Sequence, residues 1–151
     1  MKDTLIKMKK MKVSAGTAII YKDKILLCHP TKSKWTNTFS PPKGGLDKGE
    51  TLIEAALRET REEVGIRLTP SQISNIDDPM EFIYTNAKGI VHKKVYIFVV
   101  KIRNLSEIKL EFETLSKSKL QVSEVDWAGF LTKEEASNKI FFRFNKLLDL
   151  I

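Results

Sequence analysis

Residues 58–65 read RETREEVG, and this stretch places three carboxylates close together on one predicted helix. Glu59, Glu62 and Glu63 cover an arc of roughly 100° at 3.6 residues per turn. Like charges at these spacings destabilise a helix by a few tenths of a kcal/mol per pair, and a solvated helix face gains nothing from that repulsion. A divalent cation removes the conflict, and carboxylate oxygens suit Mg²⁺ or Mn²⁺.

Signals for both ends of this helix are present. Thr51 followed three residues later by Glu54 is the signature of a capping box, and Gly65 suits the left-handed residue that ends a helix. We therefore predict a helix over residues 51–64. Arg58 lies four residues after Glu54, which predicts an ordinary ion pair. The apolar positions predict one face that packs on a sheet, comprising Ile53, Ala56, Leu57, Thr60 and Val64.

Apolar and β-branched runs predict strands on both sides of the helix. The predicted strands cover residues 13–21, 25–28, 93–102 and 122–130, with a weaker segment at 72–85. LTKEEASNKI and FFRFNKLLDLI, near the carboxyl terminus, predict a closing helical region. Strands interleaved with two helical segments predict a mixed α/β domain. The length of 151 residues predicts one domain over 1–151, with residues 1–12 as a basic arm.

The composition, with 42% hydrophobic and 30% charged residues, is typical of a globular protein. No apolar run approaches the roughly 20 residues of a membrane span, so we expect no membrane partner. Cys28 is the single cysteine and lies in the apolar run KILLCHP, which predicts a buried thiol and a reducing cytoplasm. The net charge of +7 either serves solubility or attracts a polyanion.

The loop before the helix carries residues that suit a phosphate ligand. Residues 29–50 contain proline and glycine at close intervals. Gly44 and Gly45 allow the backbone to approach a ligand closely, and Lys43 supplies a point charge suited to phosphate. The spacing is not that of a Walker A loop. A glycine–lysine loop leading into a carboxylate-bearing helix predicts a site that brings metal and phosphate together.

The order and spacing of these residues resemble the Nudix box of the Nudix hydrolases. The fixed positions of the box are, in order, Gly44, Glu50, Arg58, Glu59, Glu62, Glu63, Gly65 and the apolar Ile66. Thr60 stands at an apolar position of the box, where its methyl group can still face a core. The strand pattern extends a looser resemblance over most of the chain.

The resemblance implies an α/β/α sandwich with a mixed β-sheet, in which the box forms a loop and a helix. It also implies metal-dependent hydrolysis of a nucleoside diphosphate linked to another group. The implied ligands of Mg²⁺ or Mn²⁺ are the carboxylates of Glu59, Glu62 and Glu63 and the backbone carbonyl of Lys43. Glu59 or its neighbours would also orient or deprotonate water, while Glu50 and Arg58 would brace the loop and the helix.

The position of the general base stays open. Related enzymes often place a further glutamate six residues before a tryptophan of the last strand, and that position before Trp127 is Gln121. Glu124 is the nearest acid, and Glu111 and Glu113 lie further back. The base could be Glu124, one of these earlier acids or a box glutamate alone, and the alternative interpretation of Glu124 is a surface residue at a strand edge. The predicted catalytic residues are therefore Glu59, Glu62, Arg58 and Glu124. His29 is interpreted as a loop or strand-end residue.

Similarity to subfamilies favours a dinucleoside polyphosphate as the substrate. WTNTFSPPKGG, residues 35–45, resembles a segment of the asymmetrical dinucleoside tetraphosphate hydrolases and of the diphosphoinositol phosphate hydrolases. Tyr84 follows the box at the distance where the first of these groups has a tyrosine. It either stacks on adenine or packs beside Phe82, and Trp35 covers either a base or its own loop. The predicted substrate-binding residues are Lys43, Gly44, Gly45, Tyr84 and Trp35.

Several alternatives remain at this point. A 5′-RNA pyrophosphohydrolase, which would act on an RNA 5′ end, an ADP-ribose pyrophosphatase and a diphosphoinositol polyphosphate hydrolase are the catalytic ones. A nucleotide-sensing Nudix domain is the non-catalytic one, although binding alone does not require three carboxylates. Lys93 and Lys94 either steer phosphate or line a solvated strand edge. The expected partner is a phosphate-rich nucleotide, and the sequence leaves monomer and homodimer open.

Overall fold

The centre of the sheet is a long parallel pairing between β1 (Lys12–Tyr21) and β5 (Val91–Ile102). In this computed structural model, which describes residues 11–151, the register runs from Lys12 opposite Lys93 to Tyr21 opposite Ile102. Most residues in the middle of both strands are buried, because layers cover both faces of the sheet.

Four further strands complete a mixed, six-stranded sheet. They are β2 (Lys24–Pro30), β3 (Lys43–Gly45), β4 (Met80–Thr85) and β6 (Val125–Thr132). The order is β4-β5-β1-β2-β6, and the short β3 pairs with the beginning of β1. Every pairing other than that of β1 with β5 is antiparallel. The mixed sheet that the family resemblance implied is therefore confirmed.

Helix α1 (Leu52–Val64) has the predicted ends. Thr51 and Glu54 form the capping box, and Gly65 ends the helix with a left-handed φ of 69°. The predicted ion pair between Glu54 and Arg58 is wrong, because the Glu54 carboxylate accepts hydrogen bonds from the backbone and side chain of Thr51. The buried face includes one residue that the pattern did not predict, Ala55.

Two layers cover the sheet and give the α/β/α sandwich. On one face α1 packs on a cluster that includes Ile19, Leu26 and Phe98. On the other face a 3-10 helix, Phe142–Leu150, buries Phe144 and Leu147 against β-strand residues.

Several predicted boundaries needed correction. The closing helical region is only α2 (Lys133–Ser137) and the 3-10 helix, since residues 131–132 still belong to β6. Residues 122–124 form a turn before β6, and the weak segment at 72–85 is a strand only over Met80–Thr85. The predicted loop at 29–50 contains β3, which is too short to show a period of two.

The basic arm predicted for residues 1–12 lies outside the described residues except at its end, where Lys12 begins β1. Cys28 is buried in β2, as expected, and burial raises the pKa of its thiol. Within residues 11–151 no helix is both long and apolar enough to cross a membrane.

A buried pair of hydroxyl groups joins α1 to the sheet. The Thr60 hydroxyl donates to the Ala56 carbonyl oxygen over 2.8 Å and lies 2.7 Å from the Thr17 hydroxyl on β1. Because the Thr60 proton is used by Ala56, Thr17 donates to Thr60. The polar departure of Thr60 from the apolar box position therefore has a partner 43 residues away in the chain.

Thr60→Val should lower the free energy of unfolding by about 1–3 kcal/mol, since it leaves the buried Thr17 hydroxyl without an acceptor. The double variant Thr17→Val/Thr60→Val should be more stable than Thr60→Val alone, because both polar groups are then removed. Urea unfolding of both variants and of Thr17→Val measures this. Simple addition of the two single effects would contradict the assigned hydrogen bond.

Candidate active site

A cavity of about 680 Å³ opens beside β3 and the beginning of β1, next to helix α1. Its lining includes four acidic and three basic residues, which are Glu59, Glu62, Glu63, Glu124, Lys12, Lys43 and Lys93. Gly44, Gly45 and Gln121 also line it. The structure thus brings most of the predicted site residues together. Arg58, Trp35 and Tyr84 lie outside its lining.

Arg58 connects the loop to the acidic side of α1. Its guanidinium donates two hydrogen bonds to the Glu50 carboxylate, over 2.7 and 2.9 Å, and one to the Gly45 carbonyl oxygen over 2.9 Å. It also donates to Glu59 over 2.9 Å and to Glu62 over 3.0 Å. Its side chain is only 17% exposed, so these bonds form with little competition from water. One guanidinium therefore positions both carboxylates relative to the loop.

The hydrogen bonds from Arg58 lower the pKa of Glu50 to about 2, below the ordinary carboxyl value of 4.5. The backbone N–H of Asp47 also donates to Glu50, over 2.6 Å. The Glu50 carboxylate therefore connects the turn at Asp47 to Arg58 on helix α1, which is the bracing contact that the family resemblance implied.

Glu59 packs against the Gly44 backbone. A Cβ atom at position 44 would occupy the space of the Glu59 carboxyl group, whereas one at Gly45 would meet nothing within 4 Å. Burial raises the pKa of Glu59, and the Arg58 hydrogen bond opposes that rise. The first of the two adjacent glycines is therefore needed for a specific contact across the site.

Glu63 is the most enclosed of the three helix carboxylates. Its Oε1 accepts a hydrogen bond of 3.0 Å from the Lys43 backbone N–H. Burial raises the pKa of Glu63 to about 7, with the Lys43 hydrogen bond acting in the opposite direction. The helix end is tied to the turn before β6, because the Gln121 N–H donates to the Glu63 carbonyl oxygen over 3.0 Å.

The helix carboxylates are suitable ligands for a divalent cation, although their side chains do not converge on one point. Among the described residues no three acidic, histidine or cysteine side chains converge as metal ligands. Glu59 and Glu62 are bonded to Arg58, and Glu63 is bonded to Lys43. All of them nevertheless line one cavity, and hard oxygen ligands suit Mg²⁺ or Mn²⁺. A buried carboxylate such as Glu63 is ionised more readily beside a cation.

Glu124 lines the same cavity from the turn that precedes β6. The prediction of a strand position was therefore wrong by one residue, because β6 begins at Val125. The turn is held by Thr31, whose N–H donates to the Glu124 carbonyl oxygen over 3.0 Å. Glu124 is exposed on this turn and lines the same cavity as the helix carboxylates.

Tyr84 and Trp35 do not line the cavity. Tyr84 pairs with Lys93 across β4 and β5, and the Lys93 Nζ and Arg143 Cζ atoms each lie 5.2 Å from its ring centroid. Burial raises the pKa of Tyr84 to about 12. Trp35 stacks on the buried His29 ring with a centroid distance of 3.6 Å, and it keeps 53% of its surface exposed. Contact of either ring with a substrate stays a prediction.

One charged residue of the cavity was missed by the sequence reasoning. Lys12 was assigned to the arm, yet it begins β1 and lines the cavity with Lys43 and Lys93. The signal was weak, because a basic residue at a strand end is common and only the parallel pairing with β5 places Lys12 opposite Lys93.

The profile of the NUDIX domain matches residues 10–144. The chain belongs to the NUDIX family. It is 37% identical over 75 residues to the asymmetrical bis(5′-nucleosyl)-tetraphosphatase of Caenorhabditis elegans, a match that covers 50% of this chain and 52% of the relative. It is 32% identical over 117 residues to the mRNA-decapping enzyme subunit 2 of Saccharomyces cerevisiae, covering 76% of this chain and 10% of that protein. The matches thus span about half, or less, of these relatives.

The solved structures agree with the family assignment. The C. elegans Ap4A hydrolase superposes with a TM-score of 0.64 at 26% identity, and the alignment covers 92% of this NUDIX chain and 94% of the other. A NUDIX hydrolase from Nitrosomonas europaea superposes with a TM-score of 0.61 at 21% identity, covering 86% and 78% of the two chains. The sandwich is therefore that of the family.

Glu50→Gln should destabilise the NUDIX domain at neutral pH, and the difference from the unchanged protein should shrink in acid. The folded-state pKa of about 2 lies below the ordinary value of 4.5. The stabilisation is therefore complete above about pH 4.5 and is lost as the pH falls towards 2. Thermal unfolding from pH 7 to pH 2.5 measures this, with Glu111→Gln on the exposed surface as the control. A difference that does not change with pH would contradict the Glu50–Arg58 contact.

Gly44→Ala should weaken Mn²⁺ binding about tenfold, because the new Cβ displaces the Glu59 carboxylate. The Glu59 side chain is flexible, so the free energy of unfolding should fall by only about 1 kcal/mol. Gly45→Ala is the matched control, since its Cβ meets no other atom. Isothermal titration calorimetry compares the two variants, and equal Mn²⁺ affinities would contradict the role of Gly44.

Proposed function

We propose that this NUDIX protein is a divalent-metal-dependent pyrophosphohydrolase whose substrate is a dinucleoside polyphosphate, with diadenosine tetraphosphate as the leading candidate. One observation carries the proposal: the box carboxylates and three lysines line a single cavity. Such a cavity suits a metal ion and the phosphates that the ion accompanies. The two C. elegans relatives, whose names describe tetraphosphate hydrolysis, support the substrate class. The single buried cysteine supports a cytoplasmic location.

Glu59, Glu62, Glu63 and the Lys43 carbonyl would hold the divalent ion, Mg²⁺ or Mn²⁺. When bound, the ion would screen the pyrophosphate charge and lower the pKa of a water molecule. Arg58 keeps the Glu59 and Glu62 carboxylates in place. Lys43 contributes a positive charge for phosphate, and Gly44 and Gly45 let the backbone approach it.

Two acids are the candidates for accepting the proton of the attacking water. Glu59 has a pKa raised by burial, which makes it a stronger base than an exposed carboxylate. Glu124 is exposed on a turn and lines the same cavity. Trp35 and Tyr84 are proposed to contact the bases, Trp35 with its exposed face and Tyr84 beside Lys93.

Hydrolysis at the 5′ end of RNA is the second candidate function. The yeast relative whose name describes mRNA decapping and the net charge of +7 favour it. Both RNA 5′ ends and dinucleoside polyphosphates present a phosphate chain to the same cavity. ADP-ribose and diphosphoinositol polyphosphates are further substrates to compare, and pure nucleotide sensing would leave the carboxylates without a use.

A substrate panel separates these functions. The protein is incubated with Mg²⁺ or Mn²⁺ and diadenosine tetraphosphate, 5′-triphosphate RNA, capped RNA, ADP-ribose or a diphosphoinositol polyphosphate, and the products are identified by chromatography. We expect diadenosine tetraphosphate to have the highest kcat/KM. Turnover of RNA alone would replace the leading substrate, and nucleotide binding without turnover would favour a sensor.

Glu62→Gln and Glu63→Gln should each lose most of the turnover, on the order of 100-fold, while the fold is kept. A neutral amide relieves the repulsion on the helix but binds metal poorly. Glu111→Gln, outside the cavity, should retain the rate. Steady-state kinetics with circular dichroism as the folding check measures this, and an unchanged rate in both box variants would count against their role as ligands.

A further inference from the structure

Two lysines emerge side by side at the end of the sheet next to the cavity. Lys12 and Lys93 lie directly opposite each other in the parallel register of β1 and β5. Because side chains alternate along a strand, Lys93 shares one face with the buried residues Val95 and Ile97 of the second core cluster. Lys12, opposite Lys93, lies on the same face, and both lysines line the cavity.

A third lysine reaches the same face across a glycine. Lys43 on β3 pairs with Gly16 on β1, and a Cβ atom at position 16 would lie 2.6 Å from the Lys43 Cβ. The absence of a side chain at Gly16 is what lets Lys43 pass over β1. The Lys43 Nζ then lies 6.0 Å from the centroid of the Phe144 ring, in the layer on the same face. The loop lysine thus points towards the pair on β1 and β5.

The three positive charges are crowded. Lys12 and Lys93 are paired directly in the register of β1 and β5, and Lys43 lines the same cavity. Within residues 11–151 none of the three forms an ion pair, whereas Lys24 and Lys94 do. Crowded like charges are destabilising, and a polyanion across the three would remove the repulsion, as a cation would on the acidic stripe of α1.

The cavity therefore has an acidic part, on α1 and the turn, and a basic part, on β1, β3 and β5. A metal ion would neutralise the acidic part and hold the pyrophosphate that is cleaved. A substrate with only two phosphates would place both of them there. Additional phosphates would extend beyond the metal and need a cationic partner of their own.

We infer that Lys12 and Lys93, together with Lys43, bind the phosphates beyond the pyrophosphate that is cleaved, and so make this enzyme selective for substrates with three or more phosphates. The inference rests on the proposed function, and the feature of the substrate that it specifies is the number of phosphates. Lys12 and Lys93 are specificity-determining residues in this assignment. They bind phosphate and take no part in proton transfer.

Lys12→Gln and Lys93→Gln should each raise KM for diadenosine tetraphosphate about tenfold, the effect of losing one charge-assisted hydrogen bond. KM for ADP-ribose should change less than about twofold, and kcat for both substrates should change little. Lys101→Gln is the matched control, because Lys101 is an exposed lysine on the same face of β5 at its far end. Thermal unfolding checks that each variant folds.

Binding of inorganic ions tests the same inference without turnover. Isothermal titration calorimetry in Mg²⁺ compares inorganic tripolyphosphate with inorganic pyrophosphate. We expect Lys12→Gln and Lys93→Gln to weaken tripolyphosphate binding about tenfold and pyrophosphate binding less than twofold. Lys101→Gln should bind both ions as the unchanged protein does.

The two kinds of failure are distinguishable. Equal losses for the long and the short phosphate chains, or no loss for either, would overturn the inference. Absence of turnover across the substrate panel would overturn the proposed function alone, since the calorimetric comparison of the two inorganic ions would still decide the role of the lysines.

Discussion

The site depends on the hydrogen bonds that one guanidinium donates to three carboxylates. Arg58 binds Glu50 with two parallel hydrogen bonds, reaches the Gly45 carbonyl oxygen, and also holds Glu59 and Glu62. Its planar, always charged group matches carboxylates in pairs, which a lysine ammonium would not do. The same side chain is hydrogen-bonded to the loop and to the acidic residues of the helix. It therefore fixes the orientation of the loop relative to the acidic side chains.

Arg58 also explains how one helix tolerates three neighbouring acids. The Arg58 guanidinium neutralises much of the charge of Glu59 and Glu62, and Glu63 accepts a hydrogen bond from the Lys43 backbone N–H. The acidic side therefore has partners within the protein. The basic side is different, since Lys12 and Lys93 face the cavity as close neighbours. The cavity therefore combines an acidic side with a basic side.

Sequence reasoning predicted α1 closely, because its capping box and its left-handed glycine are local signals that need no tertiary contact. It failed where local signals compete or are too short. Glu54 was assigned to Arg58 by spacing, but the cap used its carboxylate. The three-residue β3 was not predicted, because it is too short to show a period of two. The carboxyl-terminal 3-10 helix was predicted only as helical, since its irregular hydrogen bonding has no clear sequence pattern.

The sequence by itself determined the family and the acidic character of the site, through the box residues, their order and their helical spacing. Tertiary structure alone decided which distant residues join them. The parallel register of β1 and β5 places Lys12 beside Lys93, and the Thr17–Thr60 hydrogen bond seats α1 on the sheet. The physical reason is range: caps and helical periodicity act within a few residues, whereas strand pairing between segments some 80 residues apart depends on the whole core.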